Sequence, residues 1–113
     1  MENFLLSKVE DIIVEEINLV KATRDQAEEF KAILLKHIDE GKLKIIVDLH
    51  QCEFVDSTFL STLLIALKAI MEKGGSIKLA APKYEVDEVL EATGMKKVFD
   101  VLPDVEEATR SFS

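Results

Sequence analysis

At 113 residues and 48% hydrophobic content, the chain can build one core and is too short for two ordinary domains, so residues 1–113 are read as a single domain. Its formal net charge of −8 repels nucleic-acid phosphates, and no cluster of Lys and Arg with interleaved aromatics offsets this, which argues against direct nucleic-acid binding. The start, Met1-Glu2-Asn3-Phe4, lacks the basic flank and long apolar stretch of a secretory signal, and the apolar runs elsewhere fall short of a membrane span; a cytoplasmic protein with no membrane partner is expected.

In chain order, Phe4–Val9 and Ile12–Leu19 read as two partly alternating strands separated by Glu10-Asp11, an antiparallel hairpin. From Thr23 to Glu40 the apolar residues Ala27, Phe30, Ile33, Leu34 and Ile38 form one helical stripe, and Gly41 supplies the stop. Ile45-Ile46-Val47-Asp48-Leu49 is almost continuously apolar and rich in β-branched residues, the pattern of a central parallel strand covered on both faces. Ser57–Lys73 is helical by spacing and closes at Gly74-Gly75, after which Ile77–Ala80 forms a strand. Pro82 precedes a helix over about Tyr84–Thr93 that stops at Gly94; a short strand at Val98–Val101 follows. Asp104 with Glu107 resembles a capping box for a last short helix. This order predicts an α/β layered domain with a mixed, mostly parallel sheet.

In such sheets the functional loops gather at the carboxyl ends of the strands, which directs attention to Gln51–Ser57. Cys52 is the only cysteine, so no disulfide or paired-cysteine motif exists, and it reads as a small buried apolar residue. His37, on a helical stripe with Phe30 and Leu34, and His50, at a strand end, are isolated histidines that read as packed or edge residues rather than ligands, and no metal site is expected. Asp56-Ser57-Thr58 lies where the apolar pair Phe54-Val55 turns into a helix, and either Asp56 or Ser57 suits the N-cap. The same geometry would hold a phosphate on Ser57 against unpaired N–H groups at the positive end of the helix dipole.

With Leu60, Leu63, Leu64, Leu67 and Met71 placed toward the sheet, Thr58, Ile65 and Ala69 point away and Phe59, Thr62 and Ala66 lie on one flank. That outer face carries no charge, and it reads either as scattered exposed apolar residues or as a docking face. On this placement, Leu64→Ala should cost roughly 2–5 kcal/mol as a core truncation.

The stretch from Ile45-Ile46-Val47-Asp48-Leu49 through Phe54-Val55-Asp56-Ser57-Thr58-Phe59-Leu60 resembles the STAS domain family, named for sulfate transporters and anti-sigma-factor antagonists. Gly74-Gly75 and Thr93-Gly94-Met95 resemble that family's punctuation, and the likeness covers nearly the whole chain. It implies a sheet of about five strands flanked by about four helices. It also implies an anti-sigma factor antagonist that binds a serine-kinase anti-sigma factor, releases a sigma factor, and is switched off by phosphorylation and restored by a serine phosphatase. The resemblance assigns Ser57 as phosphoacceptor, Asp56 as its motif partner, and the outer residues Thr58, Phe59, Thr62, Ile65, Ala66 and Ala69 to partner binding. Two departures stand out. Phe59 replaces the Gly often found two residues beyond the phosphoserine, and Lys21-Ala22-Thr23 stands where many members carry an acid.

Ser57, Asp56 and His50 do not make a hydrolase, because the Gly-x-Ser-x-Gly elbow is absent, and no Gly-rich phosphate loop follows a strand; no catalytic residues or cofactors are implied. A phospho-aspartate receiver using Asp48 would need an acidic pair where Leu19-Val20-Lys21 stands. The remaining alternative is another STAS role, as a subunit of a sensory assembly or of a transporter ATPase complex.

Overall fold

Ile45, Ile46 and Val47 lie at the middle of a five-stranded sheet in the computed structural model, which describes residues 2–113. The strands are β1 (Phe4–Val9), β2 (Ile12–Ile17), β4 (Lys44–Asp48), β6 (Ser76–Ala80) and β7 (Val101–Leu102), in the order β1-β2-β4-β6-β7. A separate two-stranded pair joins β3 (Lys21–Ala22) to β5 (Phe54–Val55). Four helices, α1 (Arg24–Asp39), α2 (Ser57–Met71), α3 (Tyr84–Ala92) and α4 (Val105–Ser111), complete the fold with a 3₁₀ turn at Met95–Lys97. Only β1 runs antiparallel to its neighbour in the large sheet; the other pairings are parallel, as expected for strands joined by helical crossovers.

Alternation along the central strands sorts the core into two layers. Ile13, Ile45, Val47, Ile77 and Leu79 pack with Phe30, Leu34, Leu63, Ile70, Val86 and Leu90 of α1, α2 and α3. On the opposite face Ile12, Val14, Ile46 and Ala80 pack with Ala108 of α4. Lys78 reaches up from β6 to hold that short helix: its ammonium donates to the Ser111 carbonyl at 3.2 Å, pairs with Asp100 at 3.3 Å and lies 4.7 Å from the Phe112 ring centroid. Among the described residues no helix is long and apolar enough to cross a membrane.

Three local expectations differ from the structure. The second strand ends at Ile17 rather than Leu19, and the last strand is Val101–Leu102 rather than Val98–Val101. Gly94, at φ 77°, redirects the chain into the 3₁₀ turn, so Met95 and Phe99 point inward one turn apart and Val98 faces solvent. The β3–β5 pairing falls where loops were expected, since two-residue strands carry too little alternation to read.

The larger correction concerns the orientation of α2. Its buried residues are Phe59, Leu60, Thr62, Leu63, Ala66, Leu67 and Ile70, whereas Leu64 and Met71 are 41% and 60% exposed. At 100° per residue this turns the helix by roughly 80° from the predicted facing. The cause is α1, which packs beside α2 and covers the flank carrying Phe59, Thr62 and Ala66. Phe30 and Phe59 stack with centroids 5.1 Å apart and planes at 6°, and Thr62 Oγ1 donates to the Ala27 carbonyl at 3.5 Å. Leu64→Ala should therefore cost less than about 1.5 kcal/mol, because much of the side chain already meets water. A urea midpoint lowered as far as by truncating buried Leu63 would contradict this facing.

Candidate functional site at the entrance to the second helix

Two helices begin side by side, and one carboxylate joins their first turns. The β3–β5 pair aligns Lys21 with Phe54 and Ala22 with Val55, and the Asp56 N–H donates to the Ala22 carbonyl at 3.2 Å. Thr23 caps α1, accepting from the Asp25 N–H at 3.3 Å, while Gln26 Oε1 accepts from the Thr23 N–H at 3.0 Å. Asp56 caps α2: Oδ1 accepts from the Phe59 N–H at 2.9 Å. Its other oxygen accepts from the N–H of Arg24, the first residue of α1, also at 2.9 Å. Asp56 thus satisfies one donor in each helix and places its negative charge near both positive dipole ends.

Of the two capping candidates, Asp56 takes the cap and Ser57 becomes the first helical residue, exposed to solvent. Ser57 shares the outer face of α2 with Ser61, Lys68 and Glu72, while Ile65 is 48% exposed at its margin. That face is therefore mixed polar and apolar, not free of charge. Thr58 is exposed and Ala69 is half-buried against the core. Phe59, Thr62 and Ala66, expected among the outward residues, are buried under α1 and present no surface. The signal that would have found the true outer face is the spacing of Ser57, Ser61, Lys68 and Glu72, which fall within about 60° of one another around the helix.

The residues that might suggest a hydrolase are committed elsewhere. Both Asp56 oxygens accept from backbone N–H groups, and His50 Nδ1 lies 2.9 Å from Asp48 Oδ1 instead of facing a serine. Cys52 is fully buried, and its thiol is pushed up to about 12, first by that burial and then by the nearby Asp48 charge, against a smaller opposing effect of Lys83. It remains a protonated packing residue near neutral pH rather than a nucleophile.

Residues 24–108 match the STAS domain model, so this chain belongs to the STAS domain family. BtrV of Bordetella bronchiseptica, named as a candidate anti-sigma factor antagonist, is 29% identical over 86 residues, covering 76% of this chain and 74% of that protein. Among solved structures, a candidate anti-sigma factor antagonist from Thermotoga maritima superposes with a TM-score of 0.87 at 25% identity, over 96% of this chain and 92% of that one. The Bacillus cell fate determinant SpoIIAA in its phosphorylated form shares the fold at 19% identity, with a TM-score of 0.76 over 97% and 99% of the two chains.

Proposed function

We propose that this protein is an anti-sigma factor antagonist that binds a serine-kinase anti-sigma factor through the outer face of α2 and is switched off by phosphorylation of Ser57. A serine phosphatase then restores the binding form. The observation that carries this reading is the exposed Ser57 hydroxyl on the first turn of α2, beside a carboxylate that both helix entrances hold in place. The names of the relatives support the antagonist role.

The fixed position of Asp56 also determines how the switch would act. A phosphate on Ser57 adds roughly −1.5 to −2 of charge next to an existing carboxylate. Because Asp56 already occupies the Phe59 N–H, the phosphate has only the remaining first-turn N–H groups available and otherwise projects outward. The modification therefore changes the charge of the docking face while the α1–α2 core stays packed. Binding is lost by repulsion and desolvation at the surface, not by unfolding.

With the cognate kinase, ATP and magnesium, mass spectrometry should find one phosphate, on Ser57 and not Thr58, and none in Ser57→Ala. The phosphorylated protein should bind the kinase more weakly than the unmodified form while keeping its melting temperature within a few degrees. Ile65→Asp should likewise weaken binding and leave stability nearly intact. Label retained in Ser57→Ala would place the acceptor elsewhere, and equal binding by both forms would remove the switch.

A further inference from the structure

The parallel register of β2 and β4 sets Glu16 directly beside Asp48, and both side chains lie on the α4 face of the sheet. Neighbouring like charges on adjacent strands repel, and Asp48 is only 7% exposed, so this pair needs a positive charge. Among the described residues no lysine or arginine lies within ion-pair distance of either carboxylate. The one ionisable group between them is His50, while on the exposed side the Gln51 amide donates to Glu16 Oε2 at 3.4 Å and would have to release it to an ion. Nδ1 lies 2.9 and 3.0 Å from the two Asp48 oxygens, and Nε2 lies 3.9 Å from Glu16 Oε2. The His50 main-chain N–H also donates to Asp48 Oδ1 at 3.1 Å, fixing the carboxylate against the imidazole from both sides.

This arrangement matches the order in which metal-binding histidines are held: a buried carboxylate accepts from one ring N–H, fixes the tautomer, and leaves the other nitrogen's lone pair directed outward. Here that lone pair faces a second carboxylate. Two ligands held at about 2.0–2.1 Å by one tetrahedral ion stand about 3.4 Å apart, so Nε2 and Glu16 Oε2, 3.9 Å apart in the ion-free structure, need to close by about half an ångström to share one. Donor atoms from all three residues lie within 4.8 Å of one another, and His50 is exposed enough for an ion to enter. We propose that Glu16, Asp48 and His50 form a binding site for a divalent transition-metal ion of the zinc class, with His50 Nε2 and Glu16 as protein ligands and Asp48 as the positioning carboxylate. Water completes the coordination. A mixed nitrogen and oxygen donor set favours such an ion over magnesium, which takes oxygen ligands alone.

The test is a calorimetric titration of the intact protein with zinc chloride, repeated in excess magnesium. One ion per chain should bind, magnesium should not compete, and the His50 ring nitrogens should shift in ¹⁵N spectra. His50→Ala should weaken binding by at least about tenfold and Asp48→Asn by about 10–100-fold, the usual range for loss of an orienting partner. His37→Gln, which alters the only other histidine, should leave the affinity unchanged. Absence of saturable zinc binding, undiminished affinity in His50→Ala, or an equal loss in His37→Gln would overturn the proposal. Should Asp48→Asn fail to fold, the His50 ring shift in the unaltered protein decides the matter: unmoved nitrogens at saturating zinc would refute it.

Discussion

Replacing Phe59 with alanine is expected to destabilise the protein by about 3–5 kcal/mol, the range for removing a fully buried aromatic ring from a packed interior. The ring is the last of three in a stack: Phe4 of β1 lies 4.7 Å from Phe30 of α1, which lies 5.1 Å from Phe59 of α2. Its removal opens a cavity between two helices and takes away the stacking as well as the transfer term. Glycine at this position, the residue often found in the family, should cost about 1 kcal/mol more than alanine, because it adds the helix-propensity penalty without filling the space. Leucine should recover part of the loss. Urea unfolding of the three variants checks the order, and an alanine variant as stable as the parent would mean that Phe59 is not a core residue.

Asp56→Ala should cost roughly 2–3 kcal/mol, at or beyond the upper end of the range for an ordinary cap, because one side chain serves two helices. Each helix would be left with an additional unpaired first-turn donor and without a nearby negative charge for its dipole. Asp56→Asn offers an internal comparison. Arg24 and Phe59 donate to different oxygens of Asp56, and the amide puts an NH2 donor in place of one of them, so it keeps one of the two bonds and about half the loss is expected. Amide exchange should show the same division: Arg24 and Phe59 both faster in the alanine variant, one of them protected in the asparagine variant. Full stability in Asp56→Ala would mean that water replaces both bonds at no cost.

The elements most readily read from the sequence were those with long periodic patterns. The run Ile45-Ile46-Val47 predicts a strand covered on both faces, and it lies at the sheet centre; the stripe from Ala27 to Ile38 predicts α1, whose buried face carries Ala27, Phe30, Leu34 and Ile38. The facing of α2 was harder because Leu, Ile, Ala and Phe occur nearly all round it. The leucine stripe predicts one face toward the sheet, whereas α2 is buried along two sides, by the sheet and by α1, and its sparse polar residues are the better guide. Asp56 and Ser57 both suit the cap from their place before a helix, and the structure assigns it to Asp56. Its second bond, to Arg24, depends on a register between segments that carry no pattern of their own, and so only the assembled structure reveals it. The Glu16, Asp48 and His50 group was hidden for the same reason: two of its members lie two residues apart, but the third arrives from a neighbouring strand.

The β3–β5 pairing carries a consequence for the order in which the chain folds. The Arg24 to Asp56 bond beside it joins residues 32 apart in sequence, with α1 and β4 lying between them. Closing so long a loop for two short strands recovers little energy by itself, so the pairing gains most once the intervening helix and strand are already in place. The paired helix entrances are accordingly expected to assemble late. The shared cap at Asp56 is therefore completed only after α1 and α2 have come together, so the entrance to α2 takes its final form near the end of folding.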